Sequence, residues 1–194
     1  MKISLLPTAA QIEIEVIAIL ELAILGFLKE GPLHGYELKQ HLTMLTGYYQ
    51  PVSDGALYPA IARLVKGGLI SRQREQGKAG VPRQMLSLTP AGEQELLERL
   101  RQPDELTVSN RSRFFTLLAF IRYLEPGEQL ELLTRRMEFL RRGKSFFLKD
   151  GKPLAEAEAT DYYRISMLQM AKGVSRIERE WLTEAIARLA TKEE

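Results

Sequence analysis

The sequence predicts a mainly α-helical protein with one small β-hairpin, arranged as an N-terminal winged helix-turn-helix domain and a C-terminal helical dimerisation domain. Three observations lead there. Apolar residues recur at helical spacing in three stretches before Gly67-Gly68, and each stretch is closed by glycine or proline. Two short extended runs then flank a turn-rich basic tip at 76–82. After Pro103-Asp104 the pattern turns helical again and stays so. Residues 1–102 are expected to form the winged helix with an N-terminal helical extension, and residues 103–194 the helical domain, which is also the candidate effector domain.

Thr8-Ala9-Ala10-Gln11 has the capping-box pattern of a helix start, and Ile14, Ile17, Leu20, Ile24 and Leu28 follow at helical spacing. Gly31-Pro32 ends that helix, because proline cannot continue it. A second helix spans Gly35 to Thr46 with Leu38, Leu42 and Leu45 on one side. Ser53 is a good N-cap for a third, from Asp54 to about Lys66, whose apolar face is Leu57, Ile61 and Leu64. The runs 69–74 and 83–88 read as hairpin strands. Thr89-Pro90 places an N-cap before proline at the first helical position, and that helix runs to about Arg101. Beyond the boundary, one helix is expected over Asn110 to Tyr123 and another from Pro126 to about Phe147. After a turn at Asp150-Gly151-Lys152-Pro153, a last helix runs from Leu154 to Ala190.

Composition narrows the function classes. Of 194 residues, 45% are hydrophobic and 27% charged, the balance of a soluble globular chain. There is no cysteine, so disulfides, thiolate zinc sites and cysteine nucleophiles are excluded, and a reducing cytoplasm is the expected location. The two histidines, His34 and His41, are not spaced for one metal ion, and neither a metal nor a cofactor is expected. The apolar run Val16 to Leu28 is too short to span a bilayer and is interrupted by Glu21 and Gly26, so no membrane association is expected. Glu13 and Glu15 stand where a secretory signal carries basic residues. With no glycine-rich phosphate loop and no serine–histidine–carboxylate spacing, the chain does not read as an enzyme.

The chemistry concentrates at the helix-turn-helix and hairpin. In such a motif the N-terminal end of the second helix meets base edges and phosphates in the major groove. Here that end is Ser53-Asp54-Gly55-Ala56. Ser53 can donate to a phosphate, Gly55 admits close backbone approach, and the Tyr58 hydroxyl lies within reach. Asp54 would be repelled by phosphate and is expected to turn away. Between Arg63 and Arg83 the charges are Arg63, Lys66, Arg72, Arg74, Lys78 and Arg83 against Glu75 alone, a local +5 in a chain of net +2. Lys78 at the hairpin tip suits a wing that touches a minor groove or backbone. A basic hairpin is also an ordinary solvated face, and Tyr36 and Tyr58 equally fit core rings with a satisfied hydroxyl. His34 reads as a turn residue.

These residues together resemble the PadR-like transcriptional regulators. The resemblance rests on 22–26 (LAILG), 31–38 (GPLHGYEL), 52–59 (VSDGALYP), Arg63-Leu64, Gly67-Gly68-Leu69-Ile70, Pro82-Arg83 and Leu88-Thr89-Pro90-Ala91-Gly92. It is specific over about residues 20–100; a weaker match continues through Phe114-Phe115-Thr116-Leu117-Leu118-Ala119-Phe120 and the leucine-rich helix after Pro126. It implies a dimeric repressor of nearby genes that binds double-stranded operator DNA and is released by a small molecule or stress signal. Carried over by position, it implies DNA contacts at Tyr36, Ser53, Gly55, Tyr58, Lys78 and Arg83, with Arg63 as an addition. Two features depart from the family pattern. Gln84-Met85-Leu86 stands where aromatic residues commonly follow the wing arginine, and the extension before Glu15 is long. The extension is expected to form an extra helix that crosses to the partner subunit.

A two-fold dimer sets two recognition helices about 34 Å apart against a pseudo-palindromic operator. Tyr163, Met167, Met170, Val174, Ile177 and Trp181 follow a coiled-coil-like 4-3 spacing and form the expected homodimer seam, with Trp181 as anchor; Trp181 fits a core position within one chain equally well. Phe114, Phe115, Phe120, Tyr123, Tyr162 and Tyr163 fit either a ligand pocket or plain core. The rival function is a winged-helix protein-interaction module without specific DNA binding.

Overall fold

A computed structural model of the chain describes residues 9–47, 52–76, 82–142, 147–149, 152–154 and 156–191. Thr8 of the expected capping box and Lys78 lie outside the described residues. Two compact units divide the chain, Met1–Tyr123 and Leu124–Glu194.

In the first unit α1 (Ala9–Glu30) runs unbroken into the N-terminal extension, and α2 (Gly35–Thr46) and α3 (Asp54–Lys66) form the helix-turn-helix. Ile24 and Leu25 of α1, Leu38 and Leu42 of α2, and Leu57 and Leu64 of α3 are fully or almost fully buried, as their spacing predicts. Side chains of this kind each contribute roughly 1.5–3 kcal/mol on burial. At the end of α3 the Gly67 and Gly68 amides donate to the Arg63 and Val65 carbonyls, and Gly68 takes a φ of +71° that turns the chain into the sheet.

The hairpin strands are β2 (Ile70–Gln76) and β3 (Pro82–Leu88), paired antiparallel from Ile70↔Leu88 to Gln76↔Pro82. A strand absent from the sequence reading, β1 (Leu33–His34), pairs with β3 through Leu33↔Leu86 and His34↔Met85, so the sheet is three-stranded in the order β1-β3-β2. Two residues carry no alternation that a periodic pattern could reveal. The departure at Gln84-Met85-Leu86 leaves the ladder intact, and Leu86 itself is buried.

Thr89 caps α4 (Pro90–Arg101) by accepting from the Gly92 amide at 3.0 Å, and its hydroxyl donates to the Leu69 carbonyl at 2.9 Å. Any Cβ at residue 92 would collide with that same carbonyl oxygen of Leu69. Asp104 then caps a short α5 (Glu105–Ser109), accepting from the Thr107 amide at 2.6 Å. Asn110 caps α6 (Arg111–Phe120), and Ile121–Tyr123 tighten into a 3-10 turn, so the expected 110–123 helix is regular only to Phe120. Phe114, Leu117 and Phe120 are buried, and the Phe120 ring lies over Gly26, where a Cβ would sit 2.6 Å from ring carbons. This packing attaches α6 to α1 within the first compact unit.

The second unit holds α7 (Pro126–Arg141), paired segments β4 (Leu148–Lys149) and β5 (Lys152–Pro153), a 3-10 turn at Glu156–Glu158, and α8 (Tyr162–Ala190). Two boundaries correct the sequence reading. Helix α7 ends at Arg141 and does not reach Phe147. Helix α8 starts at Tyr162 and not Leu154, because Asp161 caps it by accepting from the Arg164 amide at 2.8 Å. At 29 residues α8 is about 44 Å long. The Arg136 side chain of α7, 1% exposed, donates to Glu178 of α8 at 2.7 Å among Leu132, Leu133, Leu168 and Leu182. Among the described residues no helix is long and apolar enough to cross a membrane.

Candidate nucleic-acid interface

Local backbone chemistry brings three segments to one place. Pairing of β1 with β3 sets His34 beside the wing strand and makes it the N-cap of α2. The His34 backbone amide donates to the Glu37 carboxylate at 2.8 Å, and a ring nitrogen of His34 lies 3.3 Å from the Gln84 carbonyl. At the second residue of α2, the Tyr36 ring stacks on His34 with centroids 5.9 Å apart and planes 10° apart, while the Arg83 guanidinium sits 5.8 Å over the Tyr36 ring. From α3 come Tyr58 and Ile61, and from the wing Arg72, Gln84 and Leu86. These residues line a concavity of about 270 Å³ with Ile61 and Leu86, both buried, among its walls.

The two tyrosines resolve the ambiguity in the sequence. Tyr36 is 51% exposed and Tyr58 52% exposed, so neither is a core ring. Large exposed aromatics framed by guanidinium groups suit contact with a polyanion, through hydroxyl donors and charge together. The Tyr36 hydroxyl donates to the other oxygen of Glu37 at 3.1 Å. The Glu37 carboxyl is held below its usual range, chiefly by the His34 amide; desolvation opposes this, and the Tyr36 hydroxyl and the nearby His34 and Arg83 charges add to it.

Ser53 accepts from the Ala56 amide at 3.2 Å, which caps α3 and leaves its exposed hydroxyl free to donate outward. At Gly55 an added Cβ would meet only the Ser53 hydroxyl, at 3.8 Å, among the described residues. Within those residues the fold itself makes no demand for glycine there. Asp54 accepts from Lys39 Nζ at 2.7 Å, which offsets its charge at the start of α3. Arg63 is not brought to the concavity: its Nε donates to Glu21 on α1 at 2.7 Å. Lys78 lies outside the described residues.

The sequence reading counted Arg72 only within the basic patch, took His34 for a turn residue and did not name Gln84. Arg72 was legible by alternation, since Arg72 and Arg74 share one face of β2 opposite Leu86 and Gln84. His34 was not, because its position depends on a two-residue strand. Among the described residues no cluster of histidine, aspartate or glutamate is arranged to hold a metal ion.

Residues 24–98 match the model of the transcriptional regulator PadR-like family. The chain is 25% identical over 120 residues to the negative transcriptional regulator PadR of Bacillus subtilis, across 62% of this chain and 66% of that one. It is 37% identical over 79 residues to a 37.1 kDa protein in a transposon of Streptomyces fradiae, across 41% of this chain and 21% of that one. It thus spans less than two thirds of the length of either relative. The crystal structure of Bacillus subtilis PadR in complex with operator DNA aligns with 88% of this chain and 97% of its own, at 22% identity and a TM-score of 0.43. The family match runs from within α1 to within α4, over the same helices and wing that build the concavity, so this region of the chain is similar to the transcriptional regulator PadR-like family.

Proposed function

We propose that the protein is a dimeric transcriptional repressor that docks α3 in the major groove of a pseudo-palindromic operator and is released by a small-molecule or stress signal. One observation carries the reading: Tyr36, Tyr58, Arg72 and Arg83 converge from α2, α3 and the wing on a single exposed concavity. A phosphate seated there takes a hydrogen bond from the Tyr58 hydroxyl and two positive charges, while the start of α3 with Ser53 and Gly55 is left to approach bases. Lys78, outside the described residues, adds one more positive charge to the sequence between the two wing strands. The direction of control, repression, follows the Bacillus subtilis relative, a negative regulator. Such work on DNA belongs in the cytoplasm and needs no catalysis.

Dimerisation is assigned to α8. Tyr163, Met167, Met170, Val174, Ile177 and Trp181 are all exposed, Trp181 at 43%, and their 4-3 spacing is that of a seam meeting its own copy. In this reading residues 1–102 bind DNA and residues 103–194 pair the subunits and take the signal. A signal acts by favouring one spacing of the two recognition helices over another, which requires different affinity for the two arrangements. The N-terminal extension, continuous with α1, crosses to the partner; loss of residues 1–12 without effect on dimerisation or DNA binding would end that assignment.

The test is fluorescence anisotropy with the upstream DNA of the gene and a scrambled duplex at several salt concentrations. Tight binding to the first that weakens steeply with salt, and far weaker binding to the second, is expected. Equal and feeble binding to both would favour a protein-interaction module.

A further inference from the structure

Arg63 stands in the recognition helix yet faces away from the site. On α3 it lies five residues past Tyr58, about 140° round the helix from it. Its Nε donates to Glu21 Oε1 at 2.7 Å, and Glu21 is largely buried on α1. The second Glu21 oxygen accepts from Arg99 of α4 at 3.3 Å, and Arg99 in turn reaches Glu95 at 2.7 Å. One buried carboxylate on α1 therefore holds α3 by one oxygen and α4 by the other. Such a carboxylate, left without partners, is strongly unfavourable, so the two arginines are constrained to stay with it. A bond from α1 near the C-terminal end of α3 fixes the rotation of α3 about its own axis. That rotation decides how Ser53, Gly55 and Tyr58 meet a groove, because side-chain direction on a helix follows rotation directly.

We propose that Glu21 and Arg63 are positioning residues that set the rotational seating of the recognition helix, and that Arg63 neutralises no phosphate. The inference rests on the DNA-binding reading above and changes what one of its residues does. A phosphate contact and a positioning contact leave different traces. Losing a phosphate contact weakens binding to every duplex alike and lowers the salt slope by about one. Losing a positioning contact mis-seats base readout while the phosphate contacts, and hence the slope, remain.

The experiment compares wild type, Arg63→Met, Glu21→Gln, the double variant and Arg72→Met by anisotropy on the upstream and scrambled duplexes across salt, with circular dichroism at the assay temperature. Arg63→Met is expected to weaken specific binding about tenfold, to leave scrambled-duplex binding and the salt slope unchanged, and to stay folded, since Arg63 is half-exposed. Glu21→Gln gives the same pattern, and the double variant is no worse than the worse single one. Arg72→Met supplies the contrast, a slope reduced by about one. A lower slope in Arg63→Met overturns the proposal, whether or not Glu21→Gln folds; so does a folded Glu21→Gln that binds as wild type. Failure of wild type to distinguish the two duplexes overturns the DNA-binding reading itself, which separates the two failures.

Discussion

In the N-terminal unit the large aliphatic side chains of α1, α2 and α3 meet one another, and Leu25, Leu38 and Leu57 are sealed from solvent. Along α8 of the C-terminal unit, a row of comparable side chains from Tyr163 to Trp181 faces water, with Ile177 at 63% exposure. The buried side of α8 consists of Leu168, Glu178 and Leu182, and the exposed stripe lies roughly 100° round the helix from them. One helix, α7, covers one face of α8 and leaves the next uncovered. The winged helix thus finishes its core within one chain, and its exposed tyrosines Tyr36 and Tyr58 stand where DNA is proposed to bind. The helical unit leaves its apolar surface unfinished, which is the condition expected of a subunit built to pair.

The largest effect that sharpens this contrast lies at the centre of the helical unit. Arg136 and Glu178 are an ion pair in which both side chains are almost wholly buried. Removing one partner, as in Arg136→Met, is expected to cost about 3–5 kcal/mol. Replacing both, Arg136→Met with Glu178→Leu, is expected to be near neutral or stabilising, since no buried charge is left behind. Urea denaturation of the three proteins checks this. A single variant as stable as wild type would mean that the pair is solvated and the unit far looser than described.

Next in size is Leu57→Ala, which opens a cavity in the completed core and is expected to cost about 2–5 kcal/mol. Thermal unfolding should fall accordingly and DNA binding with it. On the exposed stripe a charge placed among the apolar side chains predicts the reverse profile. Ile177→Lys should scarcely change the unfolding of a monomer but weaken self-association by 2 kcal/mol or more, as for an interface anchor. Sedimentation against concentration reads the shift. An Ile177→Lys protein that dimerises as wild type would remove α8 from the interface and with it the contrast between the units.

The contrast was only half legible in the sequence. Helices α1 to α4 were readable to within a few residues because caps, glycines and 3.6-residue spacing agree there, as at Ser53, Gly67-Gly68 and Thr89-Pro90. The seam on α8 was readable as a spacing, but spacing alone does not say whether Trp181 is core or surface; exposure decides that. The start of α8 was misread because apolar content resumes at Leu154, while the true start signal is an aspartate cap at residue 161. Long-range pairs were the least accessible. Nothing local tells that Arg63 serves Glu21, forty-two residues away, or that β1 exists, since both depend on tertiary packing that local propensity does not encode.

The smallest effect concerns the rim of the proposed DNA site and is read as a function of pH. Glu37 is half-buried, and its carboxyl is held below the usual range, first by the His34 amide. A depressed folded-state pKa means that the carboxylate contributes stability above its unfolded pKa, and that this contribution is lost as pH falls through the lower folded value. Between pH 6 and 8 the Glu37 contribution is constant, because its carboxyl is ionised throughout. Below the ordinary carboxylate range, protonation withdraws the acceptor from both the His34 amide and the Tyr36 hydroxyl, so the start of α2 frays where the stacked rings stand. The His34 amide resonance should therefore titrate with a midpoint lower than that of a free glutamate, and Glu37→Gln should abolish the transition while leaving the Leu57 region unchanged. A midpoint at the free-glutamate value would show that the Glu37 anchor does not persist in solution. The orientation of Tyr36 would then have to come from Arg83 and the wing alone, which makes the rim of the site dependent on β3 and not on α2.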